Sequence, residues 1–364
     1  MSSRSLADML ADAVALRLAG KLVEATAIFR DLARVEPQNA DLLLSLGVSL
    51  NQIGALEEGE QILRRALGLR PDLAPIRQAL AVNLMAQGQY AEGWTHYESR
   101  HEVPALALPS ATAFPFPQWN GEDLTGKRIA IFPEQGFGDH IQFARFVPQM
   151  QTAGAEVILL TRAELVRLFE HSFPGANVVA AVGAVEFPDP DFWAMAGGLV
   201  GRLGVTLETL PAQPYLRTPA SAPGLPPGFK IGVQLRGNPH HSNDANRSLP
   251  PEVAAQLRTS LPGHVLGLDP AETGAQDFAE TAAIIDQLNL VITVDTSVAH
   301  LAGALGRPCF VLLPHLGTDW RWLRDRNDSP WYPSLRLYRR GLEDADWSAT
   351  LDRLVGDVHA LAGN

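Results

Sequence analysis

The sequence predicts an all-α helical-repeat solenoid followed by two α/β domains with parallel sheets. Three observations carry this prediction: a 34-residue period over the first hundred residues, an alternation of short apolar runs with helical stretches after it, and two proline clusters that separate the parts. At 364 residues the chain is longer than one hydrophobic core usually supports, and 46% hydrophobic with 19% charged residues is ordinary globular composition.

The period is read from columns. Gly20, Gly54 and Gly88 stand 34 apart, as do Leu16, Leu50 and Leu84. Ala13, Gly47 and Ala81 keep the register, with Ala25, Gly59 and Gly93, then Phe29, Leu63 and Tyr97, while Pro37 and Pro71 close the first two units. Small residues recur where antiparallel helices approach closely, large apolar ones fill the gap, and glycine turns one helix into the next. This pattern is similar to tetratricopeptide (TPR) repeats, in three units over about residues 5 to 103. Such a stack has a concave groove that takes a peptide or protein segment, or it acts as a spacer or dimerisation element; the columns leave both open.

Proline resists helix interiors and removes backbone donors, so Pro104, Pro109, Pro115 and Pro117 mark a linker, and the cluster from Pro211 to Pro227 marks a second crossing. The expected parts are repeats over 1–103, a linker over 104–125, α/β domains over 126–220 and 221–345, and a C-terminal helix over 346–364. Apolar runs at 128–134, 156–161 and 177–182 are the strands of the first domain. Runs at 229–235, 264–269, 290–295 and 309–314 are those of the second, with helices at 251–259, 278–288 and 297–306. Two such domains joined by a hinge imply a cleft beyond the carboxyl ends of the strands.

Lys and Arg number 29 against 40 Asp and Glu, a net charge of -11 with no basic run, which argues against a nucleic-acid partner. The single cysteine, Cys309, makes no intrachain disulfide and suits a reducing compartment. Asp8 and Asp12 interrupt the apolar run that a signal peptide needs, and no stretch reaches the roughly 18 apolar residues of a membrane span, so a cytoplasmic location is expected.

Gly121 to Lys127 has the spacing of a triphosphate-binding loop, but Arg128 replaces the hydroxyl residue and the glycines precede the strand, so that reading is set aside. The loop EQGFGDHIQFAR (134–145) does leave a strand and enter a helix, and Gly136 and Gly138 let backbone approach a ligand. Thr161, where a dinucleotide-binding strand would end in an acid, argues against a dehydrogenase. Asp139 has two compatible readings: an N-cap, with Gln142 three residues on, or a base in the cleft at the helix end whose dipole favours an anion.

In LVITVDTSVAHLAGALG (290–306) a buried strand runs into a helix that Thr296 or Ser297 caps, leaving N–H groups to face a diphosphate. Asp295 ends the strand, and His300 lies one turn into the helix, as a ligand residue or as a surface histidine with a local partner. In GVQLRGNPHHSNDANRSLP (232–250), Arg236 and Arg247 can offset phosphate charge by bidentate bonds. His240 and His241 lack metal-site spacing, and no metal is assigned. Four of the seven tryptophans fall after residue 319; they are packing, or Trp320 is a sugar or base platform.

Together, EQGFGDHIQF, GNPHHSNDANRS, DFAETAAIIDQLNLVITVDTSVAHLAGALGRP and LLPHLGTDWRWL with SPWYP resemble bacterial TPR-fused glycosyltransferases related to the ADP-heptose:lipopolysaccharide heptosyltransferases, over about residues 126 to 345. The resemblance implies a GT-B fold, two Rossmann-like halves with a nucleotide-sugar in the C-terminal half, and an inverting transfer that uses neither metal nor cofactor. It implies Asp139 as general base in the loop of Gln135, Gly136 and Gly138. It implies donor binding by Arg236, Asn238, Arg247, Ser248, Asp295, Thr296, Ser297 and His300. The implied acceptor is a protein such as a flagellin held by the TPR groove. Alternatives are a glycolipid or lipopolysaccharide precursor, and an adaptor whose GT-B part no longer transfers sugar. Two positions depart from the family pattern: Ser242, where a lysine is common, and Ala196-Gly197-Gly198, where SLP is usual.

Overall fold

Paired helices follow the 34-residue period. The structure, a computed structural model, describes all residues except 1–4, 111, 184, 220–223, 242, 342, 343, 345 and 364. Helices α1 (Leu6–Leu18), α2 (Leu22–Val35), α3 (Ala40–Ile53), α4 (Leu56–Leu69), α5 (Ala74–Ala86) and α6 (Tyr90–Tyr97) pack as three successive hairpins. The turn glycines Gly20, Gly54 and Gly88 hold φ at 75°, 84° and 78°, a region that strains any side chain. The small-residue columns allow close approach: a Cβ on Gly47 would lie 2.5 Å from Leu63 Cγ. Ala25, Phe29, Leu43, Leu46 and Leu50 fill the space between the helices. Ser5 and Asp8 form a capping box at α1, and Asn39 caps α3.

This compact unit includes residues 238–246 and 314–325 along with the repeats. Two segments that the sequence assigns to the second α/β domain therefore fold with the helical hairpins.

The other unit holds two parallel sheets. The first contains β1 (Arg128–Phe132), helices α7 (Phe137–Phe143) and α8 (Val147–Thr152), β2 (Glu156–Thr161), α9 (Val166–Ser172), β3 (Asn177–Ala180), β4 (Phe192–Met195) and α10 (Gly198–Arg202), in strand order β3-β2-β1-β4. Four-residue β4, just after Pro188 and Pro190, was not among the expected strands. The linker also does more than connect. Trp119 N–H donates to Trp193 O (2.8 Å) and Trp193 N–H to Pro117 O (3.0 Å), so 117–119 cover the outer edge of β4.

The second sheet contains β5 (Lys230–Gln234), α11 (Asp244–Arg247), α12 (Pro251–Ser260), β6 (His264–Gly267), α13 (Pro270–Thr273), α14 (Phe278–Ile285), β7 (Leu290–Val294), α15 (Ser297–Ala304), β8 (Cys309–Leu313), β9 (Leu335–Arg339) and α16 (Ser348–Ala362). Its order is β6-β5-β7-β8-β9, all parallel. Every residue of central β7 is buried, as a strand covered on both faces requires. Cys309 is fully buried in β8, and burial pushes its thiol pKa up. Strand β9 escaped prediction because Arg336 and Arg339 break its apolar run at the sheet edge. The architecture is thus an all-helical region of paired hairpins followed by α/β domains with two parallel sheets. Among the described residues, no helix is long and apolar enough to cross a membrane.

Candidate active site

The loop after β1 turns into α7 at Gly136, which is the N-cap (φ -103°, ψ 151°). Asp139 is therefore not the N-cap expected from the sequence. It stands at the third helical position, where its Oδ2 accepts the Gly136 N–H at 3.1 Å. The helix begins earlier than expected because a glycine with free backbone choice can take the cap position and the acid reaches back to it. The Asp139 carboxylate is half-buried.

On the other half of the unit, Thr296 caps α15, its Oγ1 accepting from Val298 N–H at 3.3 Å and lying 3.0 Å from Thr293 Oγ1. Ser297 is the first residue of the helix. Arg247 donates from Nη1 to the backbone carbonyl of Asp295 at 2.8 Å, placing a cation beside the strand end from which α15 starts. Ser248 Oγ accepts the Gly237 N–H at 2.8 Å and closes the base of the polar loop.

These two helix starts belong together. A Cβ on Gly138 would lie 2.8 Å from His300 Cδ2, so the missing side chain is what lets α7 settle on α15. His300 is 6% exposed, a buried residue and not a surface one, and its Nδ1 is 3.1 Å from the Tyr332 hydroxyl. Asp139, one residue after the contact, and the Asp295–Thr296 turn, at the start of the helix that carries His300, thus lie on two elements in direct contact.

Other expected residues lie apart. Gln135 and Arg236 are exposed; the Gln135 carbonyl accepts from Arg162 Nη2 (2.7 Å) and the Arg236 carbonyl from Gln234 Nε2 (2.7 Å). Asn238 belongs to the helical-repeat unit, where its Oδ1 accepts the His240 N–H at 3.0 Å. Ser242 lies outside the described residues. Trp320 is a correction. It is 6% exposed and meets Trp94 and Tyr90 edge-to-face at centroid distances of 5.6 and 6.1 Å, with the Arg321 guanidinium 4.5 Å from its ring. Rings and a guanidinium already cover it, so it packs and offers no platform.

Several site-building residues went unread. Glu134 Oε1 accepts the Gly197 N–H at 2.7 Å, and a Cβ on Gly197 would sit 2.7 Å from that oxygen. The Ala196-Gly197-Gly198 departure is thus what admits the Glu134 carboxylate. Buried His140 bonds Glu134 O (2.8 Å) and Thr161 Oγ1 (2.9 Å), and burial holds its pKa below the ordinary value. Arg145, 4% exposed, donates to the carbonyls of Gln142 (2.9 Å), Pro211 (2.9 Å) and Trp331 (3.0 Å) beneath the rings of Tyr215 and Tyr332. Both lie inside the quoted EQGFGDHIQFAR motif, so the signal was present; only their burial was not legible. Among the described residues, no three His, Cys, Asp or Glu side chains gather as a metal site would require.

Residues 254–313, from α12 to the end of β8, match the model of glycosyltransferase family 9 (heptosyltransferase). That segment is similar to family 9 glycosyltransferase sequence. It carries Asp295, Thr296, Ser297 and His300. Protein FlbA of Caulobacter vibrioides is 29% identical over 369 residues, covering 87% of this chain; the chain spans 60% of that relative's length. Among solved structures, the glycosyl transferase family 9 protein of Veillonella parvula covers 67% of the chain and 99% of its own, at 11% identity and TM-score 0.46. The Thermobaculum terrenum O-GlcNAc transferase covers 100% of the chain and 94% of its own, at 16% identity and TM-score 0.28.

Proposed function

We propose that the chain is a glycosyltransferase that moves a sugar from a nucleotide-sugar to a protein acceptor such as a flagellin, with inversion and without a metal ion. The observation that carries the reading is the seating of Gly138 on His300, which joins the helix bearing Asp139 to the helix that starts after Asp295. In this mechanism Asp139 accepts the proton of the acceptor hydroxyl as its oxygen attacks the anomeric carbon from the face opposite the leaving group. The bond to the nucleoside diphosphate breaks, and the charge on its phosphate is met by the N-terminal end of α15 and by Arg247. The family 9 segment supports the donor half of the reading, since it contains the Asp295 to His300 turn. The acceptor half draws on the helical-repeat unit, where a cavity of about 650 Å³ opens among Arg17, Val48, Gln52, Ala79, His241 and Asp319. A cytoplasmic site of action is part of the same reading.

Asp139→Asn tests it, because the amide oxygen can still accept the Gly136 N–H and leave the fold and donor affinity in place. Turnover should fall by roughly 10²- to 10⁴-fold. Full turnover in the variant removes Asp139 as the base. Transfer to a glycolipid and to no protein overturns the acceptor, and failure of every nucleotide-sugar to bind leaves an adaptor.

A further inference from the structure

The inner face of the repeats is not an empty groove. It is formed by the first helix of each hairpin, α1, α3 and α5, and it already holds two loops of the α/β sequence. Helix α3 ends at Ile53, where the Gly54 N–H already donates to Asn51 O at 3.1 Å and the carbonyls of the last turn still have capacity for further donors. Two of them are taken by the loop after β8: Gly317 N–H donates to Gln52 O at 2.6 Å and Arg324 Nη2 to Asn51 O at 3.2 Å. Arg324 Nη1 also donates to His315 O at 2.9 Å, so the guanidinium ties the loop's two ends to the negative end of the helix. Gly54 makes room for it, since a Cβ there would lie 2.7 Å from Arg324 Nη1. Trp320 anchors the middle of the loop between Tyr90 and Trp94.

The loop after β5 is fastened to the first. Asn243 Nδ2 donates to Leu316 O (3.1 Å) and Gly317 O (2.9 Å), and Asn246 Nδ2 to Asn243 Oδ1 (2.7 Å). Gly317, at φ 66°, has no room for a Cβ beside the Asn243 amide. The next residue along the chain is Arg247, which closes α11 and bonds the Asp295 carbonyl. In the second sheet, β5 and β8 are the two neighbours of β7, whose end starts the α15 turn.

We infer that the TPR-like repeats position the donor site: by clamping the loops after β5 and β8 they fix Arg247 against Asp295, and nucleotide-sugar binding depends on them. This rests on the glycosyltransferase reading for its ligand but not for its geometry. A groove that only recruited an acceptor would have no need to spend its aromatic pair and its α3 carbonyls on the chain's own loops. Trp320 and Asn243 are positioning residues in this scheme, acting on the donor through Arg247.

The test uses the full chain with Trp320→Ala, Trp320→Phe and Asn243→Ala. Hydrogen exchange is followed at 243–248 and 295–299, and binding of ADP, GDP and UDP is measured by calorimetry. Trp320→Ala and Asn243→Ala should each speed exchange in both segments by roughly tenfold and weaken the nucleotide that binds the wild type by about tenfold, while Trp320→Phe restores most of both. Asn243→Ala leaves the repeat core intact and so guards against misfolding of the tryptophan variant. Faster exchange confined to 314–325, with 243–248 and 295–299 unchanged, overturns the inference. If none of the three nucleotides binds the wild type, the sugar-transfer reading falls while the exchange data still decide the clamp.

Discussion

Two buried residues set the local chemistry around Asp139. His300 sits between Tyr332 and the bare backbone of Gly138, so Gly138→Ala forces a methyl group into a ring that cannot retreat. A loss of about 1–3 kcal/mol is expected in urea unfolding, with a fall in turnover because the two helix starts separate. His140 is kept neutral by burial, the largest influence on it. Its folded pKa is lowered, so the unfolded chain binds the proton first as pH drops below about 6.5. Stability from this residue is present above that pH and is lost on acidification through it. Melting curves at pH 8 and pH 5.5 should show a larger drop for the wild type than for His140→Gln, and equal drops would clear His140 of any part in acid sensitivity. Neither role could be read from the sequence. A histidine in an amphipathic motif announces its type, but its accessibility is decided by helices over a hundred residues away.

The elements depend on backbone choices that single residues make. Thr296 supplies the side-chain cap of α15, and Thr296→Val should cost about 1 kcal/mol and loosen the nucleoside diphosphate, read from the chemical denaturation midpoint and from calorimetry. Gly54→Ala meets two obstacles, a left-handed φ of 84° and the Arg324 guanidinium. It should destabilise more than Gly20→Ala, which meets a left-handed φ of 75° but only an ordinary contact, 3.7 Å from Asn246 Nδ2. Most helices and seven of the nine described strands lie where period and alternation put them, since burial on one or both faces writes itself into the residue pattern. Strand β4 is too short to show alternation, and β9 trades its alternation for arginines at an edge. The linker's 117–119 strand-like segment is hidden by Pro115 and Pro117, which signal a crossing and conceal an edge pairing.

At the scale of the molecule, sequence order and spatial grouping part company. Residues 238–246 and 314–325 are bounded on both sides by α/β sequence, yet the second segment bonds α3 and packs on α6, and the first is bonded to the second. Their composition, polar in the first and tryptophan-bearing in the second, does not name what they pack on, because a loop's docking partner depends on tertiary approach and not on local pattern. Removing residues 1–103 should therefore expose Trp320 and free both loops, with nucleotide binding lost together with acceptor use. Isothermal titration on such a truncation, if it kept wild-type nucleotide affinity, would return the repeats to acceptor recruitment alone.

Cys309 has a consequence of its own. A lone thiol argues for a reducing compartment only when an oxidant can reach it, and this one is fully buried in β8 with its proton held tightly. In the folded protein this thiol is shielded from oxidants. Any cysteine introduced on its surface would be the sole reactive sulfur, so dyes or spin labels could be placed at will to watch the loops move.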